Sequence, residues 1–328
     1  MELFLSLLIH SKLRSRFRHY LRLLSATASL RVPALGLVSC VFLQGISSCS
    51  LAPEQLSLKL TVPFLTTRAL DAGGGGEPEY TNDVASVSGG LCDVALKTTG
   101  ELEASNDAVS ALSISDALRG LDAQASHDIL IYIHGYNTDL RRACRDAAVV
   151  AYRTGFVGRV LLLSWPASRA GVTYRRDERR LAESMPAILG TLEELGRQFG
   201  YQNINIVAHS MGSRLVLGGI PASVDNQQFS KLILVAADID KEAFVAALPK
   251  LRQRVKNIAL LVSESDRLLL LSQTLNFGER LGQADDFLAP GVDVVDVSEF
   301  EDLGFSGHLY HLESDRVADA LRAILSRP

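Results

Sequence analysis

A strand-like segment that breaks directly into a helix-like one constrains this chain more than any other feature. Residues 203–217 read N-I-N-I-V-A-H-S-M-G-S-R-L-V-L, with apolar β-branched residues before the break and helix-forming residues after it. A sharp turn of this kind pushes the side chain at its tip above the sheet, and small residues two positions before and after the tip prevent clashes. Ser210 is at the tip, between Ala208 and Gly212. The segment predicts a nucleophile elbow; a plain strand end followed by a serine-capped helix is the alternative.

The pattern from Asp128 to the C-terminus predicts a mostly parallel sheet. Strand-like apolar runs alternate there with helix-like stretches, which is typical of an α/β fold with helices on both faces of the sheet. The longest helix-like stretch covers residues 174–199, and its apolar residues recur at helical spacing. A chain of 328 residues with 47% hydrophobic content is long enough for one such domain after a leader, and we assign the domain to residues 60–328.

An elbow serine needs a base that can take its proton. Where such an elbow is used, the catalytic residues run along the chain in the order serine, acid, histidine. Two histidines follow Ser210, namely His308 and His311, and both lie in G-H-L-Y-H before the last helix-like segment. We predict His308 as the base, because Gly307 lets the backbone turn freely just before it. His311 is the alternative base.

The acid is expected at the end of a strand, on the same edge of the sheet as the serine. The strand-like run at 257–263 is followed by Glu264, Ser265 and Asp266. We predict Asp266 as the acid that orients the imidazole. Asp238 and Asp240 follow the preceding strand-like run and are the alternative acids.

Two backbone N–H groups are expected to stabilise a developing oxyanion. One belongs to Met211, the residue after the nucleophile, and the other to Tyr136, in the H-G-Y-N sequence that ends the apolar run at 128–133. Such donors contribute roughly 3 to 4 kcal/mol each in the transition state. His134 and His209, beside these positions, are interpreted as structural histidines.

Several sequence blocks together resemble one protein family. They are, in order, V-P-F-L-T-T-R at 62–68, I-H-G-Y-N at 133–137, L-S-W-P-A-S at 163–168 with Tyr174 and Asp177 after it, A-H-S-M-G-S-R at 208–214, A-A-D-I-D-K-E-A-F at 236–244, V-S-E-S-D-R-L-L at 262–269 and the late Gly-His. From about Leu60 onward the chain resembles the α/β-hydrolases of unknown function called DUF900, within the esterase/lipase superfamily. The resemblance implies an α/β-hydrolase fold and a triad of Ser210, Asp266 and His308.

The N-terminal residues have the pattern of an export signal. Six basic residues between positions 12 and 31 precede an apolar run at 32–45, and the small-residue sequence Ile-Ser-Ser-Cys ends at Cys49. This pattern resembles a bacterial lipobox. We therefore predict a signal peptide at 1–48, acylation of the Cys49 thiol, and a tether at 49–59. The expected location is the cell envelope, as a lipoprotein anchored in the membrane and facing the periplasm; an uncleaved signal anchor is the alternative.

The charge of the chain argues against one class of partner, nucleic acid. The chain has a net charge of −4, and the predicted leader holds six of its basic residues, so the remainder is more acidic and disfavours nucleic acid.

An oxidising compartment would permit a disulfide between Cys92 and Cys144, with two free thiols as the alternative. The chain lacks C-x-x-C and H-E-x-x-H motifs, and we predict neither a metal nor a cofactor.

These residues predict a serine hydrolase that cleaves a carboxylic ester. The expected substrate is a small-molecule ester or a lipid, cleaved through an acyl-enzyme intermediate. Two alternatives stay open: an acyltransferase, and a non-catalytic envelope lipoprotein that uses the same scaffold for binding.

Overall fold

The described residues form one nine-stranded sheet with helices packed against it. The computed structural model describes residues 56–71, 77–98, 102–122, 128–169, 173–218, 220, 227–283 and 287–327. The predicted signal peptide at 1–48, Cys49 and the first part of the tether lie outside these residues. The strands are β1 (Leu56–Asp71), β2 (Glu79–Thr98), β3 (Leu102–Leu112), β4 (Ile129–Ile133), β5 (Arg159–Ser164), β6 (Ile204–His209), β7 (Phe229–Val235), β8 (Val255–Val262) and β9 (Val292–Asp296).

Eight α-helices accompany these strands in the described part of the chain. They are α1 (Ile114–Asp122), α2 (Leu140–Thr154), α3 (Tyr174–Phe199), α4 (Ser213–Leu217), α5 (Lys241–Arg254), α6 (Arg267–Asn276), α7 (Tyr310–Glu313) and α8 (Asp315–Leu325). Helix α3 has the bounds predicted from its apolar spacing. Within the described ranges, no helix combines the length and the apolar character needed to cross a membrane.

The sheet is mostly parallel, as predicted. Its strand order is β3-β2-β1-β5-β4-β6-β7-β8-β9. The pairs from β1–β5 through β8–β9 are parallel, and only β1–β2 and β2–β3 are antiparallel. Because the parallel strands all end at one edge, the loops after β4, β6, β8 and β9 lie on the same side of the molecule.

Strand β4 shows how the core divides into two layers. All five of its residues, I-L-I-Y-I, are buried. Since side chains alternate along a strand, Ile129, Ile131 and Ile133 pack in one layer and Leu130 and Tyr132 in the other. The first layer contains buried residues of α1, α3 and α5, and the second contains those of α2 and α8. A strand covered on both faces loses the apolar–polar alternation and becomes uniformly hydrophobic.

A disulfide joins the sheet to α2. Cys92 in β2 and Cys144 in α2 are bonded, with an S–S distance of 1.94 Å. Both side chains are buried in the second layer. The sequence left open whether Cys92 and Cys144 form a disulfide or stay free thiols, and the structure contains the disulfide.

The predicted tether at 49–59 is wrong in its last four residues. Strand β1 begins at Leu56, and Ser57 and Leu58 pair with Lys97 and Leu96 of β2. The alternating sequence L-S-L-K-L-T-V at 56–62 has the period of a strand, and its backbone groups are satisfied by the antiparallel ladder. The sheet therefore starts earlier than the domain boundary at residue 60.

Candidate active site

Ser210 occupies a strained turn between β6 and α4. Its φ is 53°, in the left-handed region that side chains other than glycine rarely adopt. The Ser210 carbonyl accepts a hydrogen bond from the Asp238 N–H at 3.2 Å, which holds the turn from the next strand. A Cβ atom at Gly212 would lie 2.3 Å from the His134 carbonyl oxygen, so this position requires glycine. The backbone thus has the geometry of a nucleophile elbow.

His308 reaches the serine from the loop between β9 and α7. Its Nε2 atom lies 3.0 Å from Ser210 Oγ. Gly307, just before it, has a φ of 62°, which gives the backbone the turn that brings the imidazole inward. Both the serine and the imidazole side chains are buried. A hydrogen bond in a site shielded from water keeps more of its electrostatic strength.

Asp266 holds the other nitrogen of this imidazole. Its Oδ2 atom lies 2.6 Å from His308 Nδ1. Its Oδ1 atom accepts hydrogen bonds from the N–H groups of Leu268 and Leu269, both at 3.0 Å, in the first turn of α6. The carboxyl group therefore caps α6 with one oxygen and orients His308 with the other.

These contacts define the tautomer of His308. The Asp266 oxygen accepts, so Nδ1 carries the proton and donates it, which leaves the Nε2 lone pair facing Ser210 Oγ. In this state the imidazole can accept the hydroxyl proton of the serine. The arrangement is that of a nucleophile, a general base and an orienting acid.

The loop after β4 passes directly against the nucleophile. A Cβ atom at Gly135 would lie 2.8 Å from both His209 Nδ1 and Ser210 Cβ, so only glycine fits there. The Tyr136 N–H is one peptide bond from this contact, and the Met211 N–H follows the serine in the chain. The two amides that we predicted as oxyanion donors thus belong to backbone segments that meet at Ser210.

His134 holds the loop after β4 in place through hydrogen bonds. Its Nε2 atom accepts from the Trp165 N–H at 3.2 Å, so its Nδ1–H donates to the Gly135 carbonyl at 2.9 Å. Burial, and secondarily the charge of Arg68, lowers the pKa of His134 to about 3. The ring stays neutral at physiological pH and stacks on Trp165 with centroids 5.4 Å apart. These contacts support the interpretation of His134 as a structural histidine, which stays a prediction.

Arg68 is a supporting residue that the sequence reasoning did not single out. It comes from β1, is buried, and donates to Ser164 Oγ at 3.1 Å and to the carbonyls of Thr138 and Ala167 at 2.7 and 3.0 Å. Burial lowers its pKa to about 10, so it keeps its charge. Arg68 ties the loop after β4 to the loop after β5. The available signal was an arginine inside the strand-like sequence V-P-F-L-T-T-R-A-L at 62–70, where a charged side chain needs buried partners.

Two further histidines, His209 and His311, are buried near His308, the predicted base. His209 Nε2 is 3.2 Å from the His308 carbonyl oxygen, which makes the ring a support for the loop that carries the base. His311 contacts the His209 ring at 4.3 Å between centroids, and its Nε2 is 3.1 Å from Tyr132 Oη. Burial lowers the pKa of His209 well below its usual value and that of His311 to about 3. Among the described residues, His311 has no hydrogen bond to Ser210 or to an acid.

The two alternative acids, Asp238 and Asp240, form hydrogen bonds elsewhere in the structure. Asp238 accepts hydrogen bonds from Tyr174 Oη at 2.7 Å, Arg214 at 2.9 Å and Ser272 Oγ at 2.5 Å. Asp240 caps α5 by accepting from the Ala243 N–H at 2.9 Å. Neither carboxyl group contacts a histidine in the described part of the chain. Of the three candidate acids, the structure brings only Asp266 to the predicted base.

The described residues contain no group of three histidine, cysteine, aspartate or glutamate side chains arranged to hold a metal ion. The three histidines near Ser210 instead bond to protein groups, His308 to Asp266 and Ser210, His209 to a carbonyl and His311 to a tyrosine. The expectation of a site without metal or cofactor stays a prediction.

The model of one family, described as alpha/beta hydrolase of unknown function (DUF900), matches residues 111–327. The chain belongs to this family. The match spans the strands and loops that carry Ser210, Asp266 and His308. It confirms the resemblance seen in the sequence blocks and the α/β-hydrolase fold.

Solved structures with a similar arrangement include several esterases. A putative esterase from Staphylococcus aureus is 11% identical, with a TM-score of 0.37, covering 72% of this chain and 81% of its own. A carboxylesterase from Mesorhizobium loti is 11% identical, with a TM-score of 0.35, covering 80% and 100%. An S-formylglutathione hydrolase from Staphylococcus aureus is 11% identical, with a TM-score of 0.38, covering 83% and 98%. No curated protein matches the chain in sequence. Likenesses this distant carry no information on the substrate of this DUF900 member.

Proposed function

We propose that this DUF900 protein is a serine hydrolase that cleaves carboxylic esters of small acyl or lipid-like substrates through an acyl-enzyme. The observation that carries the proposal is the continuous hydrogen-bonded chain from Ser210 Oγ through His308 to Asp266, at 3.0 and 2.6 Å. A buried serine on a left-handed turn has no evident structural purpose that a glycine would not serve better. The strained turn and the chain of hydrogen bonds together support a catalytic role.

In the first half-reaction, Ser210 Oγ attacks the ester carbonyl carbon while His308 Nε2 takes the hydroxyl proton. The carbonyl oxygen becomes an oxyanion, which the N–H groups of Met211 and Tyr136 stabilise. Asp266 holds the imidazolium in place. The tetrahedral intermediate then expels the alcohol, which leaves with the proton from His308, and the acyl group stays on Ser210.

In the second half-reaction, water attacks the acyl-serine. His308 takes a proton from the water as the new C–O bond forms, and the oxyanion again lies at the same two N–H groups. Collapse of this intermediate breaks the bond to Ser210 Oγ, which recovers its proton from His308. The carboxylic acid is released and the enzyme is restored.

The experiment is turnover of p-nitrophenyl esters of short and long acyl chains by the wild type and three variants. Ser210→Ala is expected to abolish turnover. Asp266→Asn is expected to lower kcat by up to about 10⁴-fold, as loss of the orienting acid does in serine proteases. Asp240→Asn is the matched control, because Asp240 also caps a helix but contacts no histidine among the described residues. Turnover that survives in Ser210→Ala, or is absent from the wild type with every ester, would overturn the proposal.

We also propose that the protein is an envelope lipoprotein attached to the membrane through Cys49. The Ile-Ser-Ser-Cys sequence after a basic and apolar leader supports this, and the Cys92–Cys144 disulfide is consistent with an oxidising compartment. Mass spectrometry of the mature N-terminus tests it. We expect a diacylglyceryl-modified Cys49 as first residue; an intact leader or an unmodified cysteine would contradict the proposal.

A further inference from the structure

Asp238, which follows β7, is a buried carboxylate that the proposed reaction does not use. Its side chain is 3% exposed. Its Oδ2 atom accepts hydrogen bonds from Tyr174 Oη at 2.7 Å and Arg214 Nη2 at 2.9 Å, and its Oδ1 atom accepts from Ser272 Oγ at 2.5 Å. Burying a carboxylate costs free energy even when it is paired, and well-packed apolar side chains often stabilise a fold as well or better. Stability alone therefore does not account for this carboxylate.

The first partner, Arg214, ties Asp238 to the nucleophile elbow. Arg214 belongs to α4, the helix that follows Ser210, and its Nε–H donates to the Asp238 carbonyl at 2.6 Å. The Asp238 N–H in turn donates to the Ser210 carbonyl at 3.2 Å. The main chain and the side chain of Asp238 thus both bond to the segment that contains the left-handed turn. Such a conformation persists only where the surrounding structure holds it.

The second partner, Tyr174, ties Asp238 to the loop after β4. Its ring packs edge-on against the ring of Tyr136, with centroids 5.6 Å apart, and Tyr136 carries one of the two predicted oxyanion donors. Burial, and next the charge of Asp238, raises the pKa of Tyr174, so its hydroxyl keeps the proton that it donates to Asp238. The bond to the carboxylate therefore fixes the ring against which Tyr136 packs.

The third partner, Ser272, ties Asp238 to helix α6. Asp266, the predicted orienting acid, caps the first turn of this helix. Asn276, one turn after Ser272, donates from Nδ2 to Tyr174 Oη at 2.9 Å, which adds a second bond between α6 and the same cluster. The elbow, the loop after β4 and the helix of the orienting acid are thus joined through Asp238.

The charges around Asp238 balance one another. Arg214 also donates from Nη1 to Glu178 at 2.6 Å, and Arg280 lies 3.7 Å from both Asp238 and Asp240. Three carboxylates therefore meet three guanidinium groups, those of Arg175, Arg214 and Arg280. Each of these groups has a partner of opposite sign among the described residues, so the cluster presents no unpaired charge to an ionic ligand. Its contacts are those of a support between segments.

We propose that Asp238 is a positioning residue, which through its three side-chain partners sets the elbow, the loop after β4 and helix α6 in the geometry that the reaction needs. The inference rests on the proposed function and adds to it a residue that does not touch the substrate. Misplacing reacting groups by about 1 Å can lower a rate by about a hundredfold, so a carboxylate away from the reacting atoms can still control the rate.

Tyr174→Phe tests the proposal, because it removes one donor to Asp238 and keeps the ring. We expect the maximal rate of reaction with a fluorophosphonate, kinact, to fall about tenfold or more, while the concentration that gives half of this rate, KI, stays within about twofold. Tyr201→Phe is the matched control and is expected to leave kinact unchanged. Its hydroxyl also donates to a protein group, the Glu193 carbonyl at 3.3 Å, but it lies just before β6, at the end of that strand away from the elbow.

The pH dependence of kinact separates positioning from a direct role as the acid. Asp238→Asn keeps the size of the side chain and removes its charge. We expect kinact to fall at every pH with its midpoint nearly unchanged, because Asp266 still holds His308. Asp266→Asn, which removes the charge beside the imidazole, is expected to move the midpoint. A midpoint that moves as far in Asp238→Asn would assign Asp238 to the base and overturn the proposal.

Amide hydrogen exchange gives a readout that does not depend on catalysis. In Tyr174→Phe we expect faster exchange in peptides that cover residues 134–140 and 208–217, and in Tyr201→Phe we expect no change in either. Wild-type kinact and exchange in Tyr174→Phe, a change confined to KI, or an equal change in the control would each overturn the proposal. A wild type that does not react refutes the hydrolase, and the exchange measurement then decides whether Asp238 fixes these segments.

Discussion

At the scale of single residues, the site is defined by backbone positions that few residues can occupy. Ser210 has a φ of 53°, and a left-handed conformation costs a residue with a Cβ atom roughly 1 to 2 kcal/mol. A Cβ atom at Gly135 would clash with the elbow, and one at Gly212 would clash with the His134 carbonyl oxygen. The sequence showed the small residues, and these were enough to predict the turn. It could not show that His209 bridges to the His308 carbonyl, because that contact depends on how two distant loops meet.

The strain at Ser210 predicts an order of stability. Ser210→Gly is expected to be more stable than Ser210→Ala by about 1 kcal/mol in urea unfolding, because glycine adopts the left-handed region without penalty. Ser213 provides the control, since its φ of −61° is helical and there alanine should be the more stable replacement. Equal stability of the two Ser210 variants would mean that the turn is not strained.

His209 is expected to act as a positioning residue. His209→Phe keeps the ring volume but removes the donor to the His308 carbonyl, and we expect labelling of the nucleophile by a fluorophosphonate to slow roughly tenfold, the effect of one hydrogen bond. His209→Gln can return an N–H to the same place and should restore most of the rate. Equal slowing by both replacements would assign His209 to packing alone.

At the scale of elements, strand ends and helix starts bring the side chains together. Asp240 and Asp266 each follow a strand and cap a helix, yet only the loop after β8 meets the loop that carries His308. The apolar runs predicted both strands, and hence both acids as candidates. Which acid reaches the base depends on the order of strands across the sheet and on loop shape, and neither is readable from local pattern. The early start of β1 was missed because its first residues are exposed and paired only through the backbone.

The disulfide between β2 and α2 is expected to raise the free energy of unfolding. Cys144→Ser removes a cross-link between positions 52 residues apart, and we expect the free energy of unfolding to fall by about 2 to 4 kcal/mol. Reduced wild type should fall by a similar amount, which separates the cross-link from the side-chain change. Alkylation of Cys92 and Cys144 in the unreduced, folded protein would contradict the disulfide.

At the scale of the whole molecule, the fold concentrates neutral histidines in its interior. His134, His209 and His311 are buried, and burial lowers the pKa of each far below the value of 6.5 expected in the unfolded chain. The parallel strands from β4 to β8 were predictable because they are covered on both faces. The antiparallel edge of β1 to β3 was not, since polar residues interrupt its sequence.

These histidines predict that acid destabilises the protein. In the unfolded state these histidines bind protons below about pH 6.5, whereas in the folded state His134 and His311 stay neutral down to about pH 3. Protonation therefore favours the unfolded state, and the free energy of unfolding decreases as the pH falls through this window. Between pH 7 and pH 5 we expect a loss of about 2 kcal/mol per histidine in the free energy of unfolding, measured by urea titration. His311→Gln should make this dependence shallower by about one proton. A free energy of unfolding that is constant over this range would show that the rings are not held neutral.

The proposed function depends on Ser210 being a nucleophile that is activated by His308, whose imidazole Asp266 orients. The most direct measurement is reaction of the folded protein with a fluorophosphonate, followed by mass spectrometry of its peptides. We expect one adduct, on the peptide that contains Ser210, and its loss in Ser210→Ala. An adduct on another residue, or no adduct on folded wild-type protein, would contradict the account.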